Sequence, residues 1–259
     1  MADSYRVGLI VPSSNTTMET EIPEMLRRRS RIEPESFTFH SSRVRMQHVT
    51  KEELTQMVCD SDRCALELSD ARVDVMAYAC LVAIMSQGVG FHEHSERRLA
   101  EVAAENGAAA PVVSSAGALV RGIRALGVSR VAIVTPYMKP LTALVIEYLN
   151  DAGIEVVDSI SLEIPNNLEV GAHDPERLPE IAGRLDLSSA EALVLSACVQ
   201  MRSLTSIQKA EDALGLPVLS ASVATAYEIL DRLGLKPVVP DAGALLSGRR
   251  LAAASPPFA

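Results

Sequence analysis

The sequence predicts an α/β protein of two pseudo-symmetric lobes, each a mostly parallel sheet flanked by helices, with the active site in the cleft between them. Two observations support this prediction. Short runs of Val, Ile, Leu and Ala alternate along the chain with longer helical patterns, which is typical of βαβ units. Three strand-containing segments of the first half also recur, in the same order, in the second half.

The first repeated segment is a strand that ends in a proline followed by polar residues. RVGLIVPSSN at 6–15 matches RVAIVTPYMK at 130–139. Each apolar run has the length and composition of a strand that is buried on both faces. Asn15 and Tyr137 follow these strands at their carboxyl ends, where parallel sheets bind ligands.

The second repeated segment is a strand that ends in Ala-Cys. VDVMAYACLVA at 73–83 matches EALVLSACVQM at 191–201. A single cysteine in an apolar run is usually a small core residue. Its recurrence at the equivalent position of a repeat favours a functional pair instead. If the lobes face each other about a pseudo-two-fold axis, Cys80 and Cys198 look across one cleft.

The third repeated segment combines a short strand, a Ser-rich turn able to cap a helix, and a helix closed by glycine. PVVSSAGALVRGIRALG at 111–127 matches PVLSASVATAYEILDRLG at 217–234. The repeat leads us to predict a first lobe of residues 1–110 plus 220–259 and a second lobe of residues 111–219.

A cysteine at the start of a helix is expected to favour the thiolate, because the helix dipole and the unpaired N–H groups stabilise negative charge. The same N–H groups bind anions. The residues after each cysteine are therefore candidates to hold a carboxylate through their backbone N–H groups: Leu81, Val82, Val199 and Gln200. Cys59 and Cys64 lie on a helical pattern and are interpreted as packing residues.

The composition excludes several classes of function. Hydrophobic residues make up 48% and charged residues 22%, with no apolar run long enough to span a membrane, so a globular protein is predicted. A formal net charge of −9 argues against nucleic acid and anionic membranes as partners. The start of the chain, MADSYRVGLIVP, does not resemble a signal peptide, so we predict a cytoplasmic protein.

The sequence contains no recognisable binding motif for a nucleotide or a metal. It lacks the G-x-G-x-x-G, P-loop, H-E-x-x-H and C-x-x-C patterns. We therefore predict no cofactor and no metal. The segment IPNNLEVGAHDPERL at 164–178 has the character of a long loop, from which Asn166 or Asn167 could reach a ligand. A turn-forming Asn pair explains the same residues equally well.

Five motifs are typical of a known family: PSSNTTMETEIP (12–23), YACLVA (78–83), TPYMKPL (135–141), IPNNLEVG (164–171) and SACVQMRS (196–203). With them the chain resembles the aspartate/glutamate racemase superfamily, and within it the maleate cis-trans isomerases. The amino acid racemases have Asp-Ser after the first strand, whereas this chain has Ser13, Ser14 and Asn15. Arylmalonate decarboxylases keep only the second cysteine. Both departures fit the isomerases.

The resemblance implies cofactor-independent conversion of maleate to fumarate through a covalent succinyl-cysteine intermediate. It makes Cys80 the nucleophile and Cys198 its acid/base partner. It also implies that Asn15, Tyr137 and Asn167 hold the carboxylates of maleate, a small dicarboxylate, and that the protein is a homodimer. The resemblance further implies that the backbone groups of four residues help to bind the substrate: Leu81, Val82, Val199 and Gln200.

Two other functions stay open at this point. One is an acidic amino acid racemase in which the two cysteines pass a proton across the α-carbon, which α-deuterium exchange of aspartate in heavy water would reveal. The other is a ligand-binding module without catalysis, which normal thiol pKa values at both cysteines would favour.

Overall fold

Two parallel sheets of four strands each form the centre of the computed structural model, which describes residues 3–248. The first sheet has the order β2-β1-β3-β4, and the second has the order β6-β5-β7-β8. The two orders are the same once the strands are counted within each half of the chain. The predicted two-lobed α/β architecture and its internal repeat are confirmed. The strands are β1 (Ser4–Pro12), β2 (Ser36–Val44), β3 (Val75–Tyr78), β4 (Val112–Ser114), β5 (Arg130–Thr135), β6 (Glu155–Ser161), β7 (Ala192–Ser196) and β8 (Val218–Ser220).

Ten α-helices connect and cover these strands within the described part of the chain. In the first half they are α1 (Met18–Arg29), α2 (Lys51–Asp70), α3 (Leu81–Met85), α4 (Phe91–Glu105) and α5 (Ser115–Ala125). In the second half they are α6 (Lys139–Asp151), α7 (Asn167–Ala172), α8 (Leu178–Ala182), α9 (Leu204–Leu214) and α10 (Ala221–Arg232). None of the helices described in residues 3–248 is long and apolar enough to cross a membrane.

The inner strands of both sheets are largely buried, while the edge strands β2 and β6 are partly exposed. Every residue of β3 and β7 is buried, and so are the carboxyl-terminal halves of β1 and β5. Helices on both faces of a parallel sheet remove the inner strands from water, which explains their continuous apolar runs. The rigid core therefore fixes the carboxyl ends of β1, β3, β5 and β7, from which the candidate site residues project.

The sheet pairing differs from the predicted lobe boundary in one place. Strand β4 pairs with β3, with Met76 opposite Val112 and Tyr78 opposite Ser114, so it belongs to the first sheet. The prediction assigns it to the second lobe, which would begin at residue 111. Helix α10, assigned to the first lobe, packs against α1, α5 and β3. Residues 249–259 of the predicted first lobe lie outside the described residues, and the division into lobes otherwise stays a prediction.

Candidate active site

The two cysteines and Tyr137 lie close together at the carboxyl ends of the inner strands. Cys80 follows β3, Cys198 follows β7 and Tyr137 follows β5; their exposed fractions are 9%, 6% and 7%. Burial raises the pKa of the Tyr137 phenol well above its usual range, and the charges of Cys198 and of Cys80 raise it further. The charge of a thiolate can raise the pKa of this phenol only if the two groups are close together. Tyr137 therefore lies near both cysteines, and the repeat brings the two cysteines into one site.

Cys80 is the residue immediately before helix α3. Burial raises the pKa of its thiol to about 12, the backbone N–H groups of Ala83 and Val82 act against this shift, and ionised Cys198 adds to it. The N–H groups at the helix start favour the thiolate, as expected, but burial keeps Cys80 a thiol. Desolvation of a charge in an apolar surrounding outweighs the few amide dipoles that face it.

Cys198 precedes a turn rather than a helix, since α9 begins only at Leu204. Ser196 Oγ donates to the carbonyl groups of Cys198 at 2.9 Å and Met201 at 3.3 Å, which closes this turn. Burial raises the pKa of the Cys198 thiol, while hydrogen bonds from Tyr137 and from the N–H groups of Gln200 and Met201 lower it. The helix start expected after the second cysteine is absent because these hydrogen bonds hold the backbone in a turn.

Asn15 has one side-chain group left with which to bind a ligand. Its Oδ1 accepts hydrogen bonds from the N–H groups of Thr17 and Met18, both at 2.9 Å. These bonds orient the buried side chain at the start of α1. No described residue accepts a hydrogen bond from Nδ2, so this amide group is the one that can donate to a carboxylate.

Asn166 and Asn167 have different surroundings. Asn166 is exposed, and its Oδ1 accepts a hydrogen bond from Leu168 N–H at 2.9 Å, which caps α7. Asn167 is buried, and its Nδ2 donates to Ser14 Oγ at 2.7 Å. Asn167 is thus the member of the pair that reaches the loop after β1 in the other lobe.

The other predicted contacts lie in the same region, and one is used differently from the expectation. Leu81, Val82 and Val199 are buried beside the cysteines. The N–H group of Gln200 donates to Cys198 Sγ at 3.4 Å. Its side chain joins the loop after β1 to Asn167, an interaction that the sequence did not reveal. The contact of these four residues with a ligand stays a prediction.

Two further residues that the sequence reasoning missed hold the loops of the site. Glu21 in α1 is buried, and its Oε1 accepts hydrogen bonds from the N–H groups of Ser203 at 2.6 Å and Leu204 at 2.7 Å. Arg43 donates to the carbonyl groups of Asn15 at 2.7 Å and Ser13 at 3.0 Å. An acidic residue in the first turn of a helix predicts an interaction with its own helix. Only the fold reveals that Glu21 reaches the turn after Cys198.

A cavity of about 490 Å³ lies where loops of the two lobes meet. The cavity is lined by Ser13, Ser14, Gln47, His48, Pro165, Asn166, Asn167 and Leu168.

No group of three or more His, Cys, Asp or Glu residues within residues 3–248 could hold a metal ion.

Comparison with known sequences finds close relatives over nearly the whole chain. Residues 7–246 match the arylmalonate decarboxylase family. The chain is 67% identical to a maleate isomerase of Geobacillus stearothermophilus over 250 residues, which covers 96% of this chain and 100% of the relative. It is 58% identical to a maleate isomerase of Pseudomonas putida, with 96% and 99% of the two chains covered.

Solved structures of maleate isomerases are also similar to this chain. A cysteine-to-alanine variant of the maleate isomerase from Pseudomonas putida S16, crystallised with maleate, is 59% identical and superimposes with a TM-score of 0.95, covering 96% of this chain and 100% of that one. A cysteine-to-serine mutant of the Nocardia farcinica maleate cis-trans isomerase carries a covalently bound succinylcysteine intermediate. It is 48% identical, with a TM-score of 0.91 and with 95% and 99% of the two chains covered.

Proposed function

The chain belongs to the maleate isomerases of the arylmalonate decarboxylase family, and we propose that it converts maleate into fumarate without a cofactor. The observation that carries this proposal is the buried pair of thiols at equivalent strand ends, with Tyr137 near both. A pair of thiols supplies what the reaction needs, namely one sulfur that forms a covalent bond and one group that carries a proton.

Isomerisation requires that the C=C bond become single for a moment, because rotation about a double bond is too slow. In the proposed first step the Cys80 thiol loses its proton to solvent, and the thiolate Sγ forms a bond to one olefinic carbon of maleate. The π electron pair moves to the other olefinic carbon and into its carboxylate. Cys198 then donates its proton to that carbon, which gives a succinyl-cysteine.

Rotation about the new single bond exchanges the cis for the trans arrangement. Cys198 then takes the proton back from the carbon, the C=C bond re-forms, and the bond to Cys80 Sγ breaks. Fumarate leaves, and the enzyme returns to its starting state with no net gain or loss of protons or electrons. The succinylcysteine in the Nocardia farcinica mutant supports this route. The replaced cysteine of that relative lies in the second half of its chain, which supports Cys80 as the nucleophile here.

In this proposal uncharged hydrogen-bond donors bind the substrate carboxylates. Asn15 offers Nδ2, Asn167 offers its side-chain amide, and Tyr137 stays a phenol because its pKa is raised by burial. A well-placed donor stabilises developing negative charge by about 3 kcal/mol. Amide and hydroxyl donors also let one carboxylate of the adduct move, whereas a bidentate Arg clamp on each carboxylate would resist the rotation.

Proton NMR of maleate mixed with the purified enzyme tests the function directly. We expect the maleate vinyl signal to be replaced by that of fumarate with no added cofactor, and a Cys80→Ala variant to leave maleate unchanged. The wild-type enzyme should leave the α-proton of aspartate unexchanged in heavy water. Unchanged maleate would contradict the proposal, and exchange of the aspartate α-proton would favour a racemase in its place.

We further propose that the enzyme works as a homodimer in the cytoplasm. All four cysteines are free thiols, and the proposed chemistry needs reduced thiols, which a reducing compartment maintains. The family resemblance supports the dimer. Light scattering coupled to gel filtration should give twice the chain mass, and a monomer mass would contradict this part of the proposal.

A further inference from the structure

The side-chain carboxamide of Gln200 joins the two lobes beside the thiols. Its Oε1 accepts a hydrogen bond from Thr16 N–H at 2.8 Å. Its Nε2 donates to the carbonyl groups of Asn167 at 2.7 Å and Ser14 at 3.2 Å. The residue is 2% exposed, so both ends of the carboxamide are used inside the protein. One buried group therefore holds the loop after β1 against the start of α7.

The backbone of α7 passes directly against this carboxamide. A Cβ atom at Gly171 would lie 2.7 Å from Gln200 Nε2 and 2.6 Å from Thr16 Oγ1, both closer than real Cβ contacts. Gly171 has an ordinary helical backbone, so its lack of a side chain serves close approach. The helix carrying Asn167 can sit at its present distance from Gln200 only with glycine at this position.

The chemical type of residue 200 suits its partners. A carboxamide accepts one hydrogen bond and donates two at the same time, which matches one N–H group and two carbonyl groups. A carboxylate could not donate to the two carbonyl groups, and it would place a negative charge near a dianionic substrate. An ammonium group could not accept from Thr16 N–H.

We propose that the Gln200 side chain is a positioning residue that sets the spacing between Asn15 and Asn167, and with it the affinity for a dicarboxylate. Asn15 adjoins the loop that Gln200 holds, and Asn167 lies at the other end of the bridge. The hydrogen bond from Asn167 Nδ2 to Ser14 Oγ at 2.7 Å is a second link between the loop after β1 and the start of α7. This inference rests on the proposed function, in which these two amides bind the substrate.

The test replaces Gln200 by Met, which keeps the length of the side chain and removes its hydrogen bonds. Gly171→Ala disturbs the same bridge without changing Gln200. Gln208→Met is the matched control, because Gln208 lies in α9 and its Nε2 donates only to Asp212 at the surface. Maleate binding is measured by calorimetry with each change in a Cys80→Ala background, where no turnover occurs, and KM and kcat are measured with Cys80 present.

We expect Gln200→Met and Gly171→Ala each to raise Kd and KM for maleate about tenfold, because amides that the bridge no longer holds must be ordered when maleate binds. We expect kcat to change less than KM, and Gln208→Met to change neither. A role in folding alone would lower the fraction of active enzyme, and so kcat, at unchanged KM.

Unchanged Kd and KM in Gln200→Met would overturn the inference, as would a fall in kcat alone. Gly171→Ala keeps the inference open to refutation if Gln200→Met does not fold, because unchanged Kd in Gly171→Ala would also contradict it. Failure of the proposed function gives a different result. In that case wild-type enzyme leaves maleate unchanged in the NMR experiment, while the Kd series in the Cys80→Ala background still tests the bridge.

Discussion

The two strand ends that carry the cysteines share a motif and a place in their sheets, but they are supported differently. Cys80 leads directly into α3, and N–H groups of its own lobe face its sulfur. Cys198 leads into a turn that Ser196 of its own lobe closes and that residues of the other lobe also hold. Thr17 Oγ1 donates to the carbonyl group of Gln200 at 2.7 Å, and Glu21 binds the N–H groups at the end of the turn.

A second pair of contacts repeats this contrast farther from the thiols. Glu21 in α1 binds the backbone at the start of α9, and Tyr148 in α6 binds the start of α4 through His92. Each lobe thus reaches a helix of the other lobe, once with a carboxylate at α9, which follows Cys198, and once with a phenol at α4, which follows α3. The repeat positions two thiols, and their unequal supports match the different roles that we propose for them.

The largest effect is expected at Cys80, the cysteine that we propose forms the covalent bond. Cys80→Ser should lower kcat by about 10⁴-fold or more, because loss of a nucleophile leaves only binding and electrostatic contributions. Fumarate formation followed by NMR measures this. Cys59→Ser is the control, since Cys59 is exposed and should be replaceable without loss of activity. Turnover within tenfold of wild type in Cys80→Ser would show that another group forms the bond.

Removing the support of the Cys198 turn should have the next largest effect. Glu21→Ala should lower kcat/KM by about 10²-fold, because small displacements of a reacting group cost that much. Glu21→Gln keeps an oxygen acceptor and should lose less. Glu24→Ala on the same helix, where Glu24 pairs with Arg28 at the surface, is the matched control. Equal rates for Glu21→Ala and the control would separate Glu21 from the positioning of Cys198.

The pH profile tests what the two thiols have in common. Burial raises the pKa of Cys80 to about 12 and also raises that of Cys198, so the ionised fraction of each is small at neutral pH. If the free enzyme must lose a thiol proton to react, kcat/KM rises about tenfold per pH unit from pH 7 to pH 9. A plateau that begins near pH 9 would mean that an ordinary thiol pKa controls the reaction, and one that begins below pH 7 would mean that a lowered thiol pKa does.

The smallest effect is expected at the uncharged support on the Cys80 side. Tyr148→Phe removes the hydroxyl group that lies 2.5 Å from His92 Nδ1, and should cost about 1 kcal/mol of unfolding free energy with little change in kcat. Urea unfolding measures the first quantity and NMR assays the second. A loss of kcat as large as that of Glu21→Ala would remove the contrast between the two supports.

The strands and the cysteine pair could be predicted because their signals are local. Apolar runs, the proline ends and the two Ala-Cys ends identify the inner strands and the residues at their carboxyl ends. Glu21, Gln200 and Gly171 could not be predicted in the same way. Their partners lie far away along the chain, and the contacts exist only after the lobes have packed.

The raised pKa of Cys80 and the turn after Cys198 could not be predicted for a reason of the same kind. The helix start at Cys80 is visible in the sequence, and a helix dipole by itself favours the thiolate. The depth at which the strand end is buried is a property of the whole fold, and this burial dominates the pKa of Cys80. After Cys198, hydrogen bonds from the Ser196 hydroxyl group to backbone carbonyl groups hold a turn, where the repeat predicts a second helix start.

Mass spectrometry of the trapped adduct tests most directly whether the two cysteines have different roles. A Cys198→Ser variant is incubated with maleate, quenched with acid and digested. We predict that the peptide containing Cys80 gains the mass of one maleic acid, and that the same treatment of Cys80→Ser leaves the peptide containing Cys198 unmodified. A succinyl group on Cys198 in the Cys80→Ser variant, with Cys80 unmodified in Cys198→Ser, would contradict the assignment and reverse the two roles.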